Sequence, residues 1–482
     1  MRALAAVLSV ALVLAACGSD DDSSGTETGA PATETDGPAT ETDASATETD
    51  ASATDGDVDV NVWIAFTDNR LDWTQDVADR FNEEIDGYNI VIQGYADYES
   101  LFDATLLAVD QGTPPAVVQY FEAATTDAQD AVNSSNEPIF TSVETAIAGR
   151  EEILGVPVVL DDVVESARNY YTLDGEFKSM PWNTSSATLF VNRTLLDAAG
   201  VEGTPATWDE LEAACEQFLA SSAATDNCVT WPNHSWFIEQ SIAQQGATLV
   251  DNDNGRSGRA TDIDLTSDAM VDYLEWWAGL EDDGIYVYTG TQRDWGGTYD
   301  LFAAQALPFL IYSSSDTTLL TDEGKNGGFE VESAFMPRNG DRLDSGGNII
   351  GGATLWLVDG LDEGEQDAAL AFLNYLNSPE NAADWHRVTG YIPITESAVT
   401  LLEDEGWFDE NPNSKVANDQ LAAAPASPAT AGALLGNFVN IRDVITEAIE
   451  DILVNDLDPA SRLEDADAEA QRLLDEYNEL FG

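Results

Sequence analysis

The stretch that decides the fold class is residues 115–121, which read PAVVQYF. A short, continuous apolar run of this kind is typical of a parallel strand that is buried on both faces. On its N-terminal side, two predicted strands at 59–66 and 89–93 alternate with two predicted helices at 71–84 and 98–109. Strands that alternate with helices indicate an α/β lobe built on a parallel sheet.

Further along the chain, alternating and amphipathic patterns predict more strands and helices. The predicted strands lie at 187–192, 307–312 and 353–358, and the predicted helices at 207–221, 267–280, 364–376, 379–389, 439–455 and 459–480. The helix at 207 opens on a Thr-x-x-Glu capping box formed by Thr207 and Glu210. Residues 57–482 are enough for two lobes with separate hydrophobic cores.

The N-terminus resembles the signal peptide of bacterial lipoproteins. Arg2 supplies one positive charge, residues 3–16 are almost entirely Ala, Leu and Val, and Cys17 follows directly. The apolar run is too short to span a bilayer as a stable helix. We therefore expect residues 1–17 to be a signal peptide with a lipobox, and the protein to be extracytoplasmic and anchored to the cell membrane by lipid on Cys17. An ordinary secretory signal with an incidental cysteine is the alternative.

Residues 18–56 form a low-complexity acidic segment. The unit Ala-Thr-Glu-Thr-Asp begins at Ala32, Ala39 and Ala46. A segment without large apolar side chains cannot form a core, and its like charges extend it. We interpret residues 18–56 as a disordered tether between the anchor and the folded region.

Acidic residues dominate the composition. The chain holds 90 Asp and Glu against 18 Lys and Arg, a formal net charge of −72. A surface of this charge repels nucleic acid and anionic lipid, so we expect no nucleic-acid partner and no membrane contact beyond the anchor. A saline environment, in which salt screens the self-repulsion, or an acid-rich one is the simplest explanation of the composition, and a specific cationic ligand is the alternative.

Two cysteines remain after Cys17. Because the chain is expected to be exported, the sequence favours a disulfide between Cys215 and Cys228 over two buried thiols. With only His234 and His386 as histidines and no Cys-x-x-Cys motif, we expect no metal site.

The sequence carries no signature of catalysis. It contains no Walker A, Gly-x-Gly-x-x-Gly, His-Glu-x-x-His or Gly-x-Ser-x-Gly motif. Carboxylates are so abundant that a glycosidase-like pair would occur by chance. We therefore expect no enzyme, no catalytic residue and no cofactor. A surface glycosidase that uses two carboxylates stays open as an alternative.

Several motifs of the folded region occur together in one known family. They are SMPWNTSS at 179–186 with FVNR at 190–193, AGV at 199–201 with PATWDEL at 205–211, IIGGATLW at 349–356, SPENAADWH at 378–386, TGYIPIT at 389–395, and GN at 436–437 before Ile441 and Arg442. Over nearly all of 57–482 the chain resembles the extracellular solute-binding proteins of ABC importers. Within them it is most similar to the branch that binds sn-glycerol-3-phosphate and glycerophosphodiesters.

The resemblance implies an α/β, two-lobe periplasmic-binding-protein type II fold with the ligand in the cleft between the lobes and closure about a hinge. It implies a first lobe of 57–190 and 352–394, a second lobe of 191–351 and 395–482, and a crossing strand at 188–192. The implied partners are a small-molecule ligand (a polyol phosphate or a sugar), the permease subunits of an ABC importer and, indirectly, their ATPase. We expect the binding protein itself to be a monomer.

The resemblance also implies eight ligand-binding residues. Tyr391 and Arg442 match a Tyr and an Arg that are directed at phosphate, Glu122 matches an acid that accepts glycerol hydroxyls, and Gly352 offers a backbone amide. The others match a ligand-contacting Tyr, two Ser and a Trp, namely Tyr98, Ser185, Ser313 and Trp236. The planar guanidinium group of arginine forms paired hydrogen bonds with phosphate oxygens, and hydroxyl groups donate to the phosphate oxygens that remain. Each residue also has a purely structural interpretation, such as core packing for the tyrosines or pairing with acids for Arg442.

Two positions depart from the family pattern. The family's Ser-Ser-Gly-Ser turn ends here in Asp316, and an unpaired carboxylate beside a phosphate would weaken its binding. The partner of Trp236 in the family's tryptophan pair is replaced by either Trp231 or His234. The sequence therefore leaves two ligand classes open. One is a glycerol phosphate or phosphodiester, and the other is a neutral sugar or polyol whose hydroxyls donate to Asp316.

Overall fold

The computed structural model describes residues 57–482, so Cys17, the lipobox and the predicted tether lie outside the described residues. The strands are β1 (Val58–Ile64), β2 (Tyr88–Gly94), β3 (Val117–Phe121), β4 (Phe140–Thr141), β5 (Glu152–Ile153), β6 (Val156–Pro157), β7 (Thr172–Leu173), β8 (Glu176–Phe177), β9 (Met180–Ser185), β10 (Ala187–Asn192), β11 (Val229–Thr230), β12 (Phe309–Ser313), β13 (Val331–Phe335) and β14 (Gly351–Val358).

The helices surround these strands. They are α1 (Asn69–Glu84), α2 (Tyr98–Gln111), α3 (Thr125–Asp130), α4 (Val143–Ile147), α5 (Glu165–Tyr171), α6 (Arg193–Ala199), α7 (Trp208–Leu219), α8 (Ser235–Gln244), the short α9 (Asp251–Gly255), α10 (Asp268–Asp282), α11 (Trp295–Ala303), α12 (Thr317–Gly327), α13 (Glu363–Leu376), α14 (Pro379–Thr389), α15 (Glu396–Asp404), α16 (Trp407–Glu410), α17 (Val416–Ala422), α18 (Phe438–Asn455) and α19 (Pro459–Phe481). Short 3-10 turns include Glu122–Ala124 after β3 and Ser314–Asp316 after β12.

The first sheet contains the PAVVQYF strand. Its order is β2-β1-β3-β14-β4, and β9 also pairs with β14. β1 is parallel to both β2 and β3, as the alternation of strands and helices predicts. β14 is antiparallel to β3, β4 and β9, so the sheet is mixed, and the expectation of a parallel sheet is wrong for this part. The chain enters β14 from the second sheet. β14 is therefore not joined to a neighbouring strand by the strand–helix–strand crossover that makes two strands parallel.

The second sheet has the order β11-β12-β10-β13. β10 is antiparallel to β12 and β13, and β11 is parallel to β12. The strand that was expected to cross between the lobes, β10, thus pairs on both sides within this sheet. Only Ser186 separates β9 of the first sheet from β10 of the second, so the chain changes sheets there. The lobe boundaries given from the sequence stay predictions.

Each sheet has its own hydrophobic core, which gives the molecule its two lobes. In the first lobe, α1 and α13 pack on the sheet through side chains such as Phe81 and Phe372, both fully buried. In the second lobe, a group of aromatic residues that includes Trp231 and Trp277 packs beneath α18. Burial of a large aromatic side chain contributes about 2–3 kcal/mol, so these side chains help to stabilise both cores.

Helix starts follow the capping signals in the sequence. At α7, the N–H of Glu210 donates to the hydroxyl of Thr207 (3.2 Å), and the N–H of Ala206 donates to the Glu210 carboxylate (2.8 Å). At α14, Ser378 caps the helix and Pro379 occupies its first turn. These local bonds satisfy the free N–H groups of the first turn, which is why both helices begin where the sequence predicts.

Cys215 on α7 and Cys228 before β11 form a disulfide. Both residues are fully buried in the second core. The bond ties α7 to the loop that leads into the second sheet.

Two kinds of feature are absent from residues 57–482. No helix in this range has the length and hydrophobicity required to cross a bilayer. The same residues contain no cluster of His, Cys, Asp and Glu side chains arranged to hold a metal ion. His234 and His386 are both engaged with backbone groups, since Nδ1 of His234 accepts from the N–H of Trp236 and Nδ1 of His386 lies 2.7 Å from the carbonyl of Tyr391.

Candidate ligand-binding site

A cavity of about 590 Å³ is lined by residues of both lobes. Its walls form where strands end and helices begin: the ends of β3, β9 and β12, and the first residues of α2, α8 and α11. In α/β proteins such strand ends and helix N-termini are the usual location of a ligand. The cavity has room for a small polar solute.

All eight residues named from the sequence line this one cavity. They are Tyr98, Glu122, Ser185, Gly352 and Tyr391 from the first lobe, and Trp236, Ser313 and Arg442 from the second. The structure thus brings together side chains that are hundreds of residues apart in the chain. Their contacts with a ligand stay predictions.

Arg442 lies between two buried carboxylates. Its Nε and Nη2 donate to the two carboxylate oxygens of Glu239 (2.8 and 2.7 Å), and Nη2 also donates to Glu122 (2.8 Å). Glu122 follows β3 of the first sheet, whereas Arg442 and Glu239 belong to α18 and α8 of the second lobe. We call these three residues the interlobe triad. The hydrogen bonds leave Nη1 of Arg442 without a partner among the described residues.

Burial governs the electrostatics of the interlobe triad. Burial raises the pKa of Glu122, although Arg442 opposes the shift. Burial acts to lower the pKa of Arg442, but Glu239 and Glu122 outweigh it and raise that pKa above its ordinary value. With both carboxylates ionised, the interlobe triad carries one net negative charge. It is therefore suited to hydroxyl donors and is not a free cationic site.

Tyr98 stands at the first turn of α2 against the end of β3. Its ring stacks on Phe121 with centroids 4.9 Å apart, and its hydroxyl accepts a hydrogen bond from Asn183 at 3.2 Å. Burial raises the pKa of Tyr98 well above its ordinary value, so the hydroxyl stays protonated. It can therefore donate its own hydrogen into the cavity.

Gly352 is required by the pairing of β14 with β9. Its φ is +97°, and a Cβ added there would lie 1.8 Å from the carbonyl oxygen of Asn183. The adjacent residue, Gly351, pairs with Ser185 at the end of β9. Close packing of two strands is thus sufficient to explain this glycine, whether or not its amide contacts a ligand.

The aromatic wall of the cavity comes from the second lobe. Trp236 and Trp295 both line the cavity, with ring centroids 6.4 Å apart. Trp231, one of the two partners considered for Trp236, is fully buried in the second core instead. His234, the other, does line the cavity, and burial lowers its pKa well below the ordinary value, so its ring is neutral. Sequence reasoning missed Trp295.

The turn after β12 brings hydroxyls and one carboxylate to the cavity. The hydroxyl of Ser313 accepts hydrogen bonds from the N–H (3.2 Å) and hydroxyl (2.9 Å) of Ser315. The side chain of Asp316 makes no hydrogen bond or ion pair with a described residue. Burial raises its pKa to about 6, while Arg70 opposes the shift. Asp316 is thus a carboxylate of the cavity wall that titrates close to neutral pH.

Two more arginines line the cavity that sequence reasoning did not single out. Arg70, at the start of α1, pairs with Asp68 through Nε and Nη2, and its Nη1 lies 3.5 Å from the hydroxyl of Tyr391. Arg293 pairs with Asp443. The sequence contains one signal for Arg70. A basic residue in the first turn of a helix interacts unfavourably with the helix dipole, so its presence there indicates a role other than stabilising the helix.

Residues 76–423 match the family described as bacterial extracellular solute-binding protein. The chain belongs to this family. Among curated relatives of this solute-binding protein, the sn-glycerol-3-phosphate-binding periplasmic protein UgpB of Yersinia enterocolitica is 29% identical over 409 residues, 84% of this chain and 89% of the relative. The protein of the same name from Escherichia coli O6:K15:H31 is 28% identical over 404 residues, 83% of this chain and 88% of the relative.

Solved structures of other solute-binding proteins share the fold. UgpB from Mycobacterium tuberculosis, in complex with glycerophosphocholine, has a TM-score of 0.69 at 17% identity and covers 87% of this chain and 99% of its own. The sugar-binding protein MalE from Xanthomonas citri has a TM-score of 0.70 at 16% identity and covers 88% of this chain and 99% of its own. The predicted two-lobe α/β fold of periplasmic binding proteins is thereby confirmed.

Proposed function

We propose that this solute-binding protein captures sn-glycerol-3-phosphate or a glycerophosphodiester and delivers it to the permease of an ABC importer. The observation that carries the proposal is the convergence of eight residues, matched one by one to family positions, on a single cavity. The names of the UgpB relatives support the same ligand class. The lipid anchor on Cys17 would keep the protein beside its permease, and we propose that it acts there as a monomer.

A neutral sugar or polyol is the second candidate, and the charges of the cavity favour it. Each arginine of the lining is already paired with a carboxylate, while Asp316 makes no hydrogen bond or ion pair with a described residue and interacts with Arg70 only through its charge. An ionised carboxylate accepts hydroxyl hydrogens and repels a phosphate. The ionisation of Asp316 therefore decides between the two ligand classes.

The pH dependence of binding separates these candidates. Asp316, with a pKa near 6, is ionised at neutral pH and protonated in acid. A glycerophosphodiester keeps its charge over this range, so its affinity is expected to rise about tenfold as pH falls from about 7.5 to about 5. The affinity for a neutral polyol that donates to Asp316 is expected to fall instead. Calorimetry at both pH values measures whether the affinity for each ligand rises or falls with pH.

Asp316→Asn is the matched variant for this measurement. It removes the charge at all pH values, so it is expected to bind the phosphodiester at neutral pH as tightly as the wild type does in acid. A wild-type affinity that does not change with pH, or an Asn variant that keeps the full pH dependence, would contradict the role given to Asp316.

Binding without turnover tests the proposed function itself. Purified protein is titrated with sn-glycerol-3-phosphate, glycerophosphocholine and a neutral disaccharide, and the ligand is recovered and examined afterwards. A ligand at about a hundred times its dissociation constant is expected to stabilise the folded state by about 2.7 kcal/mol, visible as a higher melting temperature. Recovery of hydrolysed glycoside would favour a surface glycosidase instead, and saturable binding of intact ligand would eliminate that alternative.

A further inference from the structure

Arg70 and Tyr391 present two hydrogen-bond donors to the same part of the cavity. Nη1 of Arg70 lies 3.5 Å from the hydroxyl of Tyr391, a distance at which any hydrogen bond between them is weak. The Tyr391 hydroxyl donates to no described residue. Both side chains line the cavity. Because the Tyr391 hydroxyl accepts only this weak bond and its own hydrogen has no acceptor among the described residues, an oxygen of the ligand can accept from both groups.

The orientation of the Arg70 guanidinium is fixed by its neighbours. Asp68 accepts from Nε at 2.9 and 3.1 Å and from Nη2 at 2.5 Å. The guanidinium carbon also lies 4.3 Å from the centre of the Phe66 ring, in the geometry of a cation–π contact. With one edge held by Asp68 and one face held by Phe66, Nη1 is the donor that remains for the cavity.

The three arginines of the cavity differ in how far their charge is cancelled. Arg442 is opposed by two carboxylates, and all three side chains are at most 6% exposed, so solvent does not screen the excess negative charge. Arg70 has one ion-pair partner, Asp68, whose side chain is 47% exposed and therefore screened, and the charge of Asp316 acts on Arg70 less strongly and without an ion pair. Arg293 is also paired once, with Asp443, and among the described residues its side chain makes no hydrogen bond to another cavity side chain.

We propose that Arg70 is a specificity-determining residue that, together with Tyr391, binds an oxygen of the ligand's phosphate group. The inference rests on the proposed function, and it adds a residue that the family resemblance does not assign. Arg70 supplies a charge-assisted hydrogen bond from the first lobe, and Tyr391 supplies a neutral one.

The N-terminus of α12 lies beside the same part of the cavity. Ser313, Ser315 and Asp316 precede this helix of eleven residues, and all three line the cavity. The free N–H groups and the dipole of a helix N-terminus favour a negative charge. Asp316, whose charge acts on Arg70, is the one group here that opposes a phosphate while it is ionised.

The test compares ligand affinity in Arg70→Gln, Arg70→Lys and a control variant by calorimetry. The probes are sn-glycerol-3-phosphate and glycerophosphocholine. Loss of one charge-assisted hydrogen bond is expected to weaken binding about tenfold to a hundredfold in Arg70→Gln. Arg70→Lys keeps the positive charge but not the planar guanidinium group, and it is expected to lose less ligand affinity than Arg70→Gln. Arg80→Met is the control, since Arg80 lies on the same helix outside the cavity, where it bonds to Asn381.

The outcomes separate this inference from the proposed function. Wild-type binding with a selective loss in the Arg70 variants supports the inference. If Arg70→Gln binds like the wild type, or if Arg80→Met weakens binding equally, the inference is overturned and the proposed function stands. If the wild type binds neither probe, both are overturned. Should the melting temperature show that Arg70→Gln is unfolded, Arg70→Lys decides, and wild-type affinity in that variant overturns the inference.

Discussion

Arg442→Ala is expected to lower the free energy of unfolding by about 3–5 kcal/mol, because it leaves the buried carboxylates of Glu122 and Glu239 without their common partner. Both carboxylates are at most 6% exposed, so water does not replace the lost guanidinium. Urea unfolding followed by circular dichroism measures the effect. The variant is also expected to lose binding of sn-glycerol-3-phosphate, because two unpaired negative charges then line or adjoin the cavity.

Two controls show whether the interlobe triad is the cause. Arg472→Ala removes an arginine whose side chain is 53% exposed, and a change within about 0.5 kcal/mol is expected. The triple variant Arg442→Met, Glu122→Gln, Glu239→Gln removes all three charges together, and most of the lost stability is expected to return. If Arg442→Ala unfolds at the wild-type urea concentration, or binds sn-glycerol-3-phosphate with unchanged affinity, the account of the interlobe triad fails.

Removing the disulfide is expected to have the next largest effect. Cys215 and Cys228 are 13 positions apart, and closing a loop of this length in the unfolded chain stabilises a protein by about 3 kcal/mol in the chain-entropy account. The double variant Cys215→Ala, Cys228→Ala is expected to lose about this amount in urea unfolding. Alanine avoids burying new hydroxyl groups in the second core.

Wild-type protein with a reduced disulfide is the control for this prediction. Because the constraint acts on the unfolded chain, wild-type protein whose disulfide is reduced after unfolding is expected to refold to the stability of the double variant. A double variant as stable as the oxidised wild type would show that the bond contributes nothing. The same measurement on Cys215→Ala alone checks for a free-thiol effect of Cys228.

Local signals in the sequence were sufficient for several of the longer helices, whereas elements such as β9, α8 and α12 were not predicted. The helix at Trp208–Leu219 begins at its capping box, and the helix at Pro379–Thr389 begins at its Ser-Pro step. The predicted C-terminal helices at 439–455 and 459–480 agree with α18 and α19 within a residue or so. These starts and stops depend on side chains within one turn of the helix, and they are therefore visible in the sequence.

Strand pairing was not predictable in the same way. The run 353–358 reads as a strand, but nothing in it specifies that β14 lies between β3 and β4 or that it is antiparallel to both. That arrangement depends on how the chain returns from the second sheet. A single residue, Ser186, also marks the outward crossing, and β9 and β10 on either side of it are buried at every position.

The candidate site shows the same difference between features that local sequence predicts and features that depend on how distant segments pack. The eight residues matched to family motifs could be named in advance, and all of them line the cavity. Their mutual contacts could not, because the bond from Arg442 to Glu239 depends on the packing of α18 against α8. Glu239 lies in an apolar helical run, where a lone carboxylate already indicates a buried partner. Arg70 and Trp295 lie in the first turns of helices, and their place in the cavity lining becomes evident only when the lobes are assembled.

The position of β14 has a consequence for how this chain matures. β3 ends at Phe121, whereas its neighbour β14 begins only at Gly351. During synthesis or passage through a membrane from the N-terminus, the first sheet thus cannot be completed until most of the chain has emerged, because its internal strand β14 lies so late in the sequence. Long-range pairing of this kind is slow. We expect the nascent protein to stay unfolded long enough to be threaded outward, and to need protection of the open edge of β3 from aggregation until then.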